Sequence, residues 1–132
     1  MGVGFFATGD IQRMRIALAA ILVLLLAGCG TPQELANQAD EVHSVAAEGA
    51  LLAHEAAEGD TRATFATEHA KALRKRLDKL RPAIEETRLA TLADDVDRTL
   101  AELARMPGDR IRAAGAQRKL EHDAKAADEL AQ

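Results

Sequence analysis

The apolar residues on the two sides of Arg81-Pro82 cannot share one face of a single straight helix. On a wheel turning about 100° per residue with Phe65 at the origin, Leu73, Leu77, Leu80 and Ile84 fall at about 80°, 120°, 60° and 100°. Leu89, Leu92, Val96, Leu100 and Leu103 fall at about 240°, 180°, 220°, 260° and 200° on the same count. The stripe jumps by roughly 130°, and the residue before a proline is pushed out of helical geometry. The pattern therefore predicts a chain reversal between Arg81 and Thr87, with a kinked helix as the alternative.

Further punctuation divides the rest of the chain. Thr31-Pro32 reads as an N-cap followed by proline at the first helical position, with Glu34 at the third. Gly59-Asp60-Thr61 reads as C-cap, turn and new N-cap, and Pro107-Gly108-Asp109 as a second such boundary. Helices are expected at about 32–58, 61–80, 87–106 and 109–131. Short connections make sequential helices antiparallel neighbours. The expected fold is all-α, an up-down-up-down four-helix bundle, and a kink at Pro82 would instead leave a three-helix bundle.

Composition says what kind of core this is. Of the 104 residues from Cys29 onward, 24 are alanine and only 18 are Leu, Ile, Val or Phe. Such a share, under about one-fifth, is the range in which disorder competes with folding. Strong helix formers and clear periodicity oppose it. The first helix carries a stripe of mostly small residues, Ala39, Ala46, Gly49, Ala50, Ala53 and Ala57, with Leu35 and Val42. Small residues permit helices to approach towards the lower end of the usual separation of about 8–10 Å. The fourth helix has the thinnest stripe, Ala113, Ala116, Leu120, Ala124, Ala127 and Ala131, and is expected to fray.

Ahead of the bundle, Arg13 and Arg15 precede an unbroken apolar run, Ile16 to Ala27. Its twelve residues would span about 18 Å as a helix, short of a hydrocarbon core of about 30 Å. A positive n-region and a short h-region suit a secretory signal. The run closes on Leu26-Ala27-Gly28-Cys29, which resembles the lipobox of bacterial lipoproteins. That resemblance, carried by about 17 residues, implies cleavage between Gly28 and Cys29 and a diacylglyceryl thioether on the Cys29 sulfur. Two acyl chains suffice for stable anchoring. Residues 1–28 would then be a signal peptide, translated from Met1 or from Met14, and 29–132 the mature domain. The alanine-rich mature chain is similar in composition to small helical secreted lipoproteins of high-GC bacteria, a likeness that implies no activity. The implied place is the extracytoplasmic face of a cell membrane, with a possible protein partner in the envelope and no cofactor beyond the covalent lipid.

Several function classes lose support here. One cysteine rules out a disulfide framework and a cysteine-based zinc site. The net charge of −4 argues against nucleic acid as a partner. Ser44 is the only serine and directly follows His43, so no nucleophile is given a base by spacing. Among residues three before a histidine, only Asp40 before His43 approaches the Glu-x-x-His pattern of di-iron bundles, and it is not repeated. No catalytic constellation follows.

The remaining candidates are histidines and a basic run. His43 and His54 share a helix face but stand about 16 Å apart along the axis, too far to hold one metal together. His69 falls at about 40°, inside the apolar arc of its helix, where a carboxylate such as Glu48 or Glu55 would satisfy it. A metal- or haem-binding bundle would use His69 with His43 or His54. Glu85-Glu86 and Asp94-Asp95 read as solvated helix faces, and His122 as exposed. Lys71, Arg74, Lys75 and Lys79, flanked by Arg76 and Arg81, form the strongest charge cluster. It would either contact anionic headgroups or pair with Glu41, Glu48 or Asp97 on neighbouring helices. The function expected is that of a small helical binding or interaction module held at a membrane by lipid.

Overall fold

The computed structural model describes residues 31–132. Four helices make an antiparallel bundle: α1 (Pro32–Glu58), α2 (Ala63–Leu80), α3 (Thr87–Arg105) and α4 (Arg110–Ala131). No strand occurs among the described residues. The signal-peptide reading of residues 1–28, the Gly28–Cys29 cleavage point and the Cys29 lipidation site lie outside them. Each helix packs on its neighbours around a square, and α2 and α4 stand diagonally opposite.

Local chemistry sets each reversal. At the end of α1, Gly59 takes φ +77°, a left-handed conformation that glycine adopts without a Cβ penalty. Its N–H donates to Ala56 O at 3.2 Å, and the Asp60 N–H donates to Glu55 O at 2.9 Å. These paired bonds satisfy carbonyls that the helix end would otherwise orphan. The next helix starts two residues later than the sequence suggests. Arg62, in extended geometry, stands at its N-cap without a side-chain cap bond, so Thr61 does not cap α2. After Gly59 the chain needs Thr61 and Arg62 to complete the reversal before helical geometry resumes.

Pro82 is a true break. Arg81–Ala83 form one 3-10 turn, Ile84 is extended at φ −81° and ψ 111°, and its N–H returns to Arg81 O at 3.1 Å. The three-helix alternative is thereby excluded. Glu86 is the N-cap of α3, its carboxylate accepting the Leu89 N–H at 2.5 Å. Glu85-Glu86 is therefore not a solvated helix face but the entry to a helix. Asp94 and Asp95 are half-buried, the first paired with Arg81 and the second with Arg98 at 3.2 Å. At the last reversal Asp109 caps α4 by accepting the Arg112 N–H at 3.1 Å. The helix boundaries there are one residue inside those expected, because Met106 and Asp109 are the caps themselves.

The phase jump at Pro82 is resolved by this reversal. Leu73, Leu77 and Ile84 from one side and Leu89, Val96, Leu100 and Leu103 from the other all reach the same core. Phe65 does not follow its arc. It lies in the first turn of α2, beyond the cover of its neighbours, and is 53% exposed with its ring 5.5 Å from that of His69. On α1 the small stripe is buried from Ala39 to Ala53, joined by Val45, Leu52 and Ala56, whereas its ends, Leu35 and Ala57, are only half-buried. Gly49 sits where the packing leaves no room for a side chain: a Cβ there would lie 2.8 Å from Leu100 Cδ2 and 3.3 Å from Leu120 Cδ1. The fourth helix is continuous. It is regular to Ala131, and its seam with α1 is the most extensive helix–helix contact in the bundle. Small residues on both helices account for that, since close backbones recover in dispersion what the short side chains lack.

Candidate functional site

The fold sorts the sequence candidates onto two sides of α1. Towards α2, His69 Nε2 donates to Glu48 Oε1 at 3.0 Å. Arg76 donates to the same Glu48 through Nη1 at 2.8 Å and to Glu41 through Nη2 at 2.8 Å. Arg74 reaches α3, donating to Asp97 Oδ1 at 3.0 Å. These bonds hold both guanidiniums above their ordinary pKa, although partial burial opposes it. The basic run is thus partly consumed inside the bundle, by the acids named from sequence. Lys71 pairs along its own helix with Glu68 at 3.3 Å. Lys75 and Lys79 are exposed, with no ion pair among the described residues.

Towards α4, the other two histidines border a groove. His43 Nδ1 donates to Ala124 O at 2.8 Å, and His54 Nδ1 donates to Gln117 Oε1 at 3.3 Å. Gln117 Nε2 in turn donates to Glu121 Oε1 at 2.8 Å. Between these crossbars runs an open groove of about 610 Å³, lined by Ala47, Ala50, Leu51 and Ala124 and edged by Lys125 and Asp128. The groove exists because its floor is alanine, and Leu51 stands 59% exposed beside it. Concave apolar surface with a few convergent polar groups is what a ligand or partner site requires. The histidine spacing was legible in sequence; the α4 wall was not, because helix pairing cannot be read from one helix face.

His69 therefore belongs to the α1–α2 side and His43 and His54 to the α1–α4 side, and the fold does not bring them together. Among the described residues no cluster of three His, Cys, Asp or Glu side chains could hold a metal ion. His122 is exposed as expected. Its neighbour Asp123 was not singled out in the sequence. It sits in the apolar seam of α4, 5% exposed, with Oδ2 buried and without a hydrogen-bond partner. Burial, and then the charge of Asp95 across the seam, pushes its carboxyl above the ordinary value of 3.8, against the opposing pull of His122 and Lys119.

No helix among the described residues is long and apolar enough to cross a membrane. Comparison with known proteins finds no matching family model, no curated relative and no similar solved structure.

Proposed function

We propose that this chain is a lipid-anchored, extracytoplasmic interaction module whose folded part is a small four-helix bundle. The observation that carries the reading is Leu26-Ala27-Gly28-Cys29, set at the end of a short apolar run and three residues ahead of the first helix at Pro32. A diacylglyceryl group on Cys29 supplies two acyl chains, so the bundle needs no membrane-seeking face of its own. Its four helices bury their stripes against one another, which fits a domain presented to water. The α1–α4 groove offers such a module a surface for a partner.

The test is Cys29→Ser, with the protein followed through cell fractionation and intact-mass measurement. The expected result is wild-type chain in the membrane fraction, beginning at Cys29 and heavier by a diacylglyceryl group. The variant should leave that fraction or keep its leader. Recovery of Cys29→Ser in membranes at the wild-type level, or an unmodified sulfur on the exported wild type, overturns the proposal.

A further inference from the structure

We propose that Asp123 makes the seam between α3 and α4 a proton-sensitive latch, closed while its carboxyl is neutral and loosened when it ionises. Three features of the geometry support this. Asp123 is 5% exposed and its Oδ2 has no hydrogen-bond partner. A carboxylate removed from water without a donor is strongly disfavoured, whereas the neutral acid is not. Its position in the α4 stripe lies between Leu120 and Ala127, both fully buried, so water reaches Oδ2 only where the helix parts from a neighbour.

The charged groups around the seam do not rescue the ionised form. From α3, Asp95 adds a like charge, and that residue's own cation, Arg98, is committed to it at 3.2 Å on the exposed side. From α4 itself, Lys119 and His122 pull the other way, but both are exposed to solvent. From α1, His43 reaches the next residue of α4, but its Nδ1–H is spent on the Ala124 carbonyl. The remaining helix, α2, is diagonal to α4, and no ion pair joins the two among the described residues. Thr99, the other buried polar side chain among the described residues, donates its hydroxyl back to Asp95 O at 3.0 Å and so does not serve Asp123.

Ionisation would act on one seam more than the other. The contact of α4 with α1 is much more extensive than its contact with α3. Repulsion between Asp123 and Asp95 therefore releases α4 from α3 while leaving it seated on α1. The sign is opposite to ordinary acid denaturation. The folded carboxyl holds its proton more tightly than the unfolded chain does. Its contribution to stability is complete at acidic pH and is lost as pH rises through the folded-state titration.

The experiment uses the full chain and its Asp123→Asn and Asp95→Asn variants. Thermal unfolding is followed by circular dichroism from pH 4 to pH 8, and the Asp123 carboxyl carbon is titrated by NMR. The expected titration midpoint lies above the ordinary carboxylate range. The melting temperature of Asp123→Asn should match wild type at the acid end and exceed it by on the order of 5 °C at neutral pH. Asp95→Asn should close part of that gap, and wild-type amides over Leu120–Ala127 should lose hydrogen-exchange protection as pH rises. A midpoint in the ordinary range or below it overturns the proposal whatever the variants do. So does a gap between Asp123→Asn and wild type that does not grow with pH.

Discussion

Gly49 shows how much one missing methyl group does in a core built from alanine. Leu100 and Leu120 occupy the space its Cβ would need, so α1 lies close against both α3 and α4. Gly49→Val should lower unfolding free energy by about 2–3 kcal/mol, because overpacking shifts side chains or backbone in a tight core; the midpoint of urea unfolding checks it. A milder loss is expected for Arg76→Ala. Its bonds to Glu41 and Glu48 are about two-fifths exposed at each end, so the pairs are worth about 0.5–1 kcal/mol together and less at high salt. Melting curves at low and high salt would show the difference shrink. Around α2 the sequence offered the right acids without the pairings: Glu48 stood beside Glu55 as a partner for His69, and Glu41, Glu48 and Asp97 were named for the basic run as a whole, so which cation meets which acid awaited the fold. Asp123 was not legible at all. A lone acid in a polar-looking stretch reads as solvated until the neighbouring helix is known to cover it.

The elements themselves were mostly legible, for reasons that differ from boundary to boundary. Proline and glycine fix a conformation by sterics alone, so Gly59, Pro82 and the Pro107-Gly108 turn fall where the sequence puts them. Caps depend on which of several nearby polar groups reaches the free N–H donors, and that choice is tertiary. Thr61 was a fair candidate and Arg62 took the position; Glu86, an unusual cap residue, serves α3. Glu86→Ala should cost about 1 kcal/mol of stability, the typical worth of a side-chain cap. Gly59→Ala should cost at least about 1 kcal/mol, from the left-handed backbone, with the added methyl also meeting the Arg110 guanidinium. Chemical denaturation of each variant reads these losses directly. The thin stripe of α4 understated its packing, because side-chain bulk is the wrong measure for a helix that packs through small residues at close approach.

At the scale of the whole molecule the bundle is unequal in its seams. The α1–α4 pair is broad and fine-grained, whereas the α2–α3 hairpin relies on fewer, larger leucines and on the half-buried Arg74–Asp97 pair. Native-state hydrogen exchange should find the slowest amides in α1 and α4, with those of α2 opening earlier; equal protection in all four helices would contradict that order. The two ends also differ. Leu51, Phe65, Met106 and Ile111, the large apolar side chains left exposed among the described residues, all lie in the half remote from Pro32. A helix the length of α1 extends about 40 Å. The bundle is therefore lopsided in its wetting, hydrophilic at the foot and greasy at the crown. An apolar partner arriving from solution would find the bundle's large exposed apolar side chains gathered at that one end.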